Sequence, residues 1–108
     1  QDRLIRRYEV NADLTLGDGT LFLDQSGDER RGAPDGMKVD VDGRLWTTGA
    51  GGVSVHTAAG DFLGVFEMDE HAANLSFGGE EFSTLFMTAG TSVYSIETAV
   101  RGIVPGSR

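Results

Sequence analysis

The segment GAPDGMKVDVDGRLW, residues 32–46, carries two Asp-Gly pairs in a stretch that otherwise alternates like a β-strand. Asp42-Gly43 stands between two alternating runs and reads as a hairpin turn. Asp35-Gly36 follows Pro34 and precedes the strand, which leaves two readings open. Pro-Asp-Gly favours a turn in which the aspartate caps its own backbone. The other reading is a carboxylate held in place for chemistry. Asn74 is the second candidate, an amide oxygen 39 residues further on (74 minus 35), with a turn asparagine as its structural reading. Asn74-Leu75-Ser76 also fits an N-glycosylation sequon, which requires a secretory route. His71, three positions earlier (74 minus 71), is a candidate for substrate binding at a cavity mouth.

Other chemistries are excluded by spacing. Asp40 and Asp42 do not make an EF-hand loop. With Gly43 in the sixth position, Lys38 stands first and Gly49 twelfth, where carboxylates are required. No Gly-x-Ser-x-Gly elbow supports a serine nucleophile. GAGG at 49–52 lacks the Gly-Lys-Ser/Thr ending of a phosphate loop and lies between strands, so it is a turn. His56 has no partner at metal-ligand spacing and is expected at a surface or rim. Cysteine is absent, which removes thiol nucleophiles, disulfides and thiolate metal sites together and fits a reducing compartment.

The elements that must position Asp35 and Asn74 are strands. Leu4 to Val10 alternates, and NADLTLGDGT supplies turn residues before Leu21-Phe22-Leu23. DQSGDERRGAP is a polar loop without periodicity. Met37, Val39 and Val41 alternate with Lys38 and Asp40, which predicts a half-buried strand with the apolar set inward. Turns then lead to strands over Leu45 to Thr48, Val53 to His56 and Phe62 to Phe66. The cycle restarts after EMDEH, with strands at Asn74 to Phe77, Thr84 to Thr88 and Val93 to Ile96. No amphipathic helix is evident.

LWTTGAGGV from Leu45 matches LFMTAGTSV from Leu85 at an offset of 40 residues (85 minus 45), pairing Leu45 with Leu85, Trp46 with Phe86, Thr48 with Thr88 and Val53 with Val93. Short strands in sets of four at a period of ~40 residues mark β-propeller blades. The fold expected is all-β, a partial propeller of roughly two and a half blades. Residues 1–31 would be the outer strands and loop of a preceding blade, 32–70 one blade, and 71–108 a partial next blade. Asn74 would then begin the inner strand of that next blade and face the same cavity as Asp35. Trp46 and Phe86, repeating with the blade, are expected in the core between blades. A blade cannot bury both faces alone, so the chain is expected to need a missing N-terminal portion or additional copies of itself.

Charge and composition narrow the partners. Seventeen acidic against nine basic residues give a net charge of −8, which argues against a nucleic-acid phosphate backbone. The basic pairs Arg6-Arg7 and Arg30-Arg31 sit beside Glu9 and Asp28-Glu29 and read as self-neutralised surface. No apolar run approaches the ~18 residues of a membrane span, and the opening shows no signal segment, so no membrane partner and a cytoplasmic location are expected. The abrupt start on an alternating segment points to something upstream.

The motifs also resemble a known family. GAPDGMKVDVDGRLWTT is similar to the stretch around Pro-Asp-Gly-Met in the regucalcin (senescence marker protein) and gluconolactonase family, and NLSFGG, LFMTAGTSVYSI and the closing GIVPG resemble its later segments in the same order. The resemblance implies a six-bladed β-propeller holding a divalent metal, most often Ca2+ with Zn2+, Mg2+ or Mn2+ as alternatives, at the bottom of a central cavity. It implies hydrolysis of a sugar-acid lactone or related ester as the activity. Asp35 matches the family's aspartate, which is a metal ligand and proposed general base. The family's N-terminal glutamate ligand and its Asn-Gly-Leu element have no counterpart here. The chain is therefore expected to be a C-terminal portion, inactive alone. The alternative is a non-catalytic propeller fragment or assembly module that completes a ring with other chains.

Overall fold

The computed structural model describes residues 3–30 and 32–105. Gln1 and Asp2 of the opening, Arg31 of the Arg30-Arg31 pair and Gly106 of GIVPG lie outside the described residues. The described chain forms three antiparallel sheets and no helix. β1 (Leu4–Val10) pairs with β2 (Leu16–Asp24). β3 (Met37–Val39), β4 (Leu45–Gly49), β5 (Gly52–His56) and β6 (Phe62–Glu67) make a four-stranded sheet in chain order. β7 (Asn74–Gly78), β8 (Thr84–Thr88) and β9 (Val93–Glu97) make a three-stranded one. These meanders stand as successive blades, with β3 and β4 against β7.

The repeat at an offset of 40 is a register repeat. Thr48 pairs with Val53 as Thr88 pairs with Val93, and Leu45 with His56 as Leu85 with Ile96. Blade-to-blade packing follows from alternation. Trp46, Val53 and Val55 turn one face of the second sheet onto Leu75, Phe77, Leu85 and Met87 of the third, with Ala72 between them. Trp46 stacks on Phe66 at 5.8 Å and meets Phe77 edge-on at 5.4 Å. Aromatic pairs of this kind add about 0.5–1.5 kcal/mol beyond their buried area. The first sheet is joined to the second by polar contacts. Gln25 accepts the Ala50 N–H at 2.9 Å and reaches Ser54 Oγ, and Arg7 lies over the Phe22 ring and donates to Ala58 O at 2.8 Å.

Several expectations are corrected. β2 begins at Leu16 rather than near Leu21, because Asn11 and Asp13 close a tight turn onto Thr15 and leave GDGT free to pair with β1. β3 is exposed along its whole length rather than half-buried. Met37, Val39 and Val41 are exposed, whereas Asp40 is 1% exposed. Met37 and Val39 look into a cleft toward β1 and β2 that no described side chain fills, while the Asp40 carboxylate is drawn inward by four donors. These are the N–H groups of Asp42 and Arg44 at 2.9 and 3.0 Å, Arg44 Nη1 at 3.2 Å and Trp46 Nε1 at 2.8 Å. His56 is buried rather than at a rim, since β5 is an interior strand. Its ring meets Phe62 edge-on at 5.5 Å, Nδ1 has no partner among the described residues, and burial pushes its pKa down. Trp46 lies in the core between blades, but Phe86 is exposed, because no described sheet packs on its face. Arg7 is drawn to Ala58 and Phe22 instead of pairing with Glu9, and Arg30 does pair with Asp28, at 2.6 Å.

After β9 the chain crosses to the Asp40 end of β3. Gly102 forms a bridge with Asp40, and Val41 donates to Arg101 O at 2.9 Å. A glycine is required at 102 because a Cβ there would overlap the Phe77 ring.

Candidate functional site

Gly36, the residue after Asp35, meets Asn74 at the opposite end of β3. Extending the β3–β4 register places Gly36 opposite Thr48, and Thr48 N–H donates to Gly36 O at 2.9 Å. The Gly36 N–H is taken by Thr48 Oγ1 at 3.0 Å. Thr47 and Thr48 are fully buried, so the peptide after Asp35 rests on an enclosed pair of hydroxyls. On its other side lies Asn74, at the start of β7. A Cβ on Gly36 would overlap both the Asn74 side chain and its Cα, so glycine is what lets the two blades meet here. Register makes Asn74, opposite Thr88, the counterpart of Gly36 and not of Asp35. Its Oδ1 accepts the Leu75 N–H at 2.8 Å, which leaves one acceptor site open. The Asp35 side chain is exposed, and no hydrogen bond or ion pair to it occurs among the described residues.

The loop before Asp35 is tied down from the first sheet. The Arg3 guanidinium donates to the carbonyls of Asp28, Arg30 and Gly32. Asp28 receives the Arg30 side chain and backbone N–H, which hold its carboxyl down at about 2. Gly32 lies against Gly49 O with His71 beside it. His71 is exposed and lines a cleft of about 490 Å³ with Arg30, Glu67, Asp69 and Glu70. Glu70 is held at about 2 by bonds from Thr91 and Tyr94, and so ties the start of the third sheet to its β8–β9 turn. His71 therefore stands next to the loop that leads to Asp35, on a neighbouring cleft.

The donor set can be weighed against a cation. An aspartate carboxylate and an asparagine amide oxygen suit a hard ion such as Ca2+, which takes about 6–8 oxygens. Among the described residues no group of three or more His, Cys, Asp or Glu side chains could hold a metal ion. Asp35 and Asn74 suit such an ion by donor chemistry alone, and the rest of a coordination shell would have to come from other residues.

Sequence reasoning missed Thr47, Thr48 and Arg3. Arg3 carries no local signal, since its partners lie 25 to 29 positions away. The threonines did carry one. The repeat aligns Thr47-Thr48 with Met87-Thr88, and a buried hydroxyl where the neighbouring blade has a thioether must find a partner.

Comparison with known proteins agrees with this architecture. Residues 1–91 match the family model described as SMP-30/Gluconolactonase/LRE-like region. A gluconolactonase of Zymomonas mobilis subsp. mobilis is 33% identical over 73 residues, which is 66% of this chain and 20% of that protein. A solved structure assigned as a gluconolactonase superposes with a TM-score of 0.78 at 37% identity, over 94% of this chain and 34% of its own. A gluconolactonase from Xanthomonas campestris gives 0.71 at 26% identity, over 91% and 30%. A luciferin-regenerating enzyme gives 0.81 at 19% identity over 94% and 40%, a likeness of fold. The three sheets are blades of a partial β-propeller of the gluconolactonase type. The chain belongs to the SMP-30/gluconolactonase/LRE-like family. It spans a fifth of the length of that curated relative and 30–40% of the solved ones.

Proposed function

We propose that this chain supplies Asp35 to the metal site of a propeller that hydrolyses a small lactone or ester of the sugar-acid type. The observation that carries the reading is the Asp35 carboxylate. It is exposed and unpartnered, on a peptide clamped by a buried threonine and set against Asn74 of the next blade. A charged group held in place without a structural partner is poised for a ligand. Asp35, with the amide oxygen of Asn74 from the neighbouring blade, would hold a divalent cation, Ca2+ by the hardness of its donors. When bound, the cation supplies Lewis acidity toward the lactone carbonyl. Asp35 would take a proton from the water whose oxygen bonds to the carbonyl carbon, and return it to the ring oxygen as the ring C–O bond breaks, giving a hydroxy acid. Asn74 orients the carbonyl, and His71 at the adjacent cleft donates to substrate hydroxyls.

The test is Asp35→Asn in the full-length protein, with lactone hydrolysis followed by base uptake and Ca2+ affinity by calorimetry. Loss of calcium binding and a fall of about 10²–10⁴-fold in kcat/KM are expected, the range of a missing general base. Unchanged affinity and rate would overturn the assignment.

A second reading rests on a different observation. Val10, Leu14 and Leu16 on the first sheet and Val93 on the third are exposed apolar side chains at the two flanks of the described structure. A chain acting only as an assembly module would bury them against other copies. Sedimentation of this chain as a calcium-indifferent multimer without hydrolysis would favour that reading.

A further inference from the structure

We infer that Thr47 and Thr48 are positioning residues for Asp35, their two hydroxyls ending the β3–β4 ladder early so that Asp35 leaves the sheet with its carboxylate free. In a regular antiparallel ladder every second opposed pair exchanges both N–H···O bonds, and Gly36–Thr48 falls in that set, in step with Asp40 N–H donating to Arg44 O at 3.0 Å. Thr48 N–H does reach Gly36 O at 2.9 Å, but the return bond is missing. The Gly36 N–H goes to Thr48 Oγ1 at 3.0 Å, while Thr48 O accepts Thr47 Oγ1 at 2.9 Å. Both hydroxyls also lie 3.4 Å from Gly36 O.

The third sheet shows what happens without the pair. By register, Met87-Thr88 stands where Thr47-Thr48 stands, and Ala73 where Asp35 stands. There the carbonyl of Thr88 is open to backbone and accepts the Ala73 N–H at 2.9 Å. The chain before β7 is thus held to the sheet by its backbone, with an alanine that has nothing to present. In the second sheet the Thr47 hydroxyl occupies that carbonyl, and Asp35 N–H has no partner among the described residues. Two fully buried hydroxyls side by side on a strand are costly unless bonded, and both are bonded here, whereas in the third sheet Thr88 stands alone beside Met87.

The inference rests on Asp35 being a cation ligand, and the experiment separates the two claims. Ca2+ affinity of the full-length protein is measured by calorimetry for wild type, Thr48→Val, Thr48→Ser and Asp35→Asn, with melting temperatures taken in chelator. Thr48→Val is expected to weaken calcium by about 10–100-fold, as for other residues that orient a ligand. Thr48→Ser, which keeps the hydroxyl, restores affinity at a melting temperature no higher than that of Thr48→Val. Wild-type affinity in Thr48→Val with loss in Asp35→Asn overturns the positioning role alone. Wild-type affinity in Asp35→Asn overturns the ligand reading and the positioning role with it. Amide hydrogen exchange on the wild-type protein adds a readout that needs no substitution. Slow exchange at Gly36 with fast exchange at Asp35 is expected, and the reverse order overturns the inference.

Discussion

Asp35 and Asp40 stand five positions apart (40 minus 35) at the two ends of one short strand, and the fold uses them in opposite ways. Asp40 is enclosed, and four donors from Asp42, Arg44 and Trp46 saturate its carboxylate. Burial alone pushes its pKa up, yet the bonds from Trp46, Arg44 and Asp42 together outweigh that and hold it below the ordinary carboxylate value. Asp35 is open to solvent and bonded to nothing described. What differs is where the donors are spent. At the Asp40 end they converge on the side chain and lock the β3–β4 turn. At the Asp35 end, hydroxyls converge on the following peptide and leave the side chain out. One end of the blade is built for stability, the other to hold a charge in readiness.

The contrast is broken most directly by a pair of substitutions. Asp40→Ala strands the Trp46 and Arg44 donors and should cost about 3–5 kcal/mol in denaturant unfolding, the scale for removing one partner of a buried ionic network. Asp35→Ala should change stability by no more than about 0.5 kcal/mol while abolishing calcium affinity. Equal stability losses at the two positions would erase the distinction. Trp46→Phe sharpens it. The ring is kept in size class but its N–H to Asp40 is lost, and a bond to a charged group contributes about 1.5–3 kcal/mol. Calcium affinity should not move.

The smallest expected effect is in pH dependence. His56 has a folded pKa below its unfolded value, so the unfolded chain takes up the proton first as pH falls. Its contribution is intact above about pH 6.5 and declines below that, at most about 1.4 kcal/mol per pH unit. Asp40 has a depressed folded value, so its contribution is intact above about pH 3.9 and is lost as pH falls further. Urea midpoints of wild type and His56→Gln across pH 4–8 should diverge only below about pH 6.5, the unfolded histidine value.

How much was legible can be judged residue by residue. The strands at Leu45, Thr84 and Val93 were readable because alternation and glycine turns are local signals, and the repeat gave their pairing as well. The facing of Met37 to Val41 was not. Alternation says that two sets of side chains point opposite ways, but which set is buried depends on what lies across from each. His56 was misplaced for the same reason, since nothing local says that β5 is an interior strand. In the site, Pro34-Asp35-Gly36 was conspicuous in sequence, whereas Thr47 and Thr48 acquire their role only when register sets them under Gly36.

By itself, then, the sequence determined the strands, the period of the blades and the family, because each is written in neighbours or in a motif. The tertiary structure alone decided that Asp40 is buried and Asp35 exposed, that Asn74 lies against Gly36, and that Thr48 takes up both the N–H and the carbonyl of Gly36. Those outcomes depend on which groups arrive from 2 to 38 positions away (42 minus 40, 74 minus 36), and a contact has no meaning until both of its partners have been brought within reach.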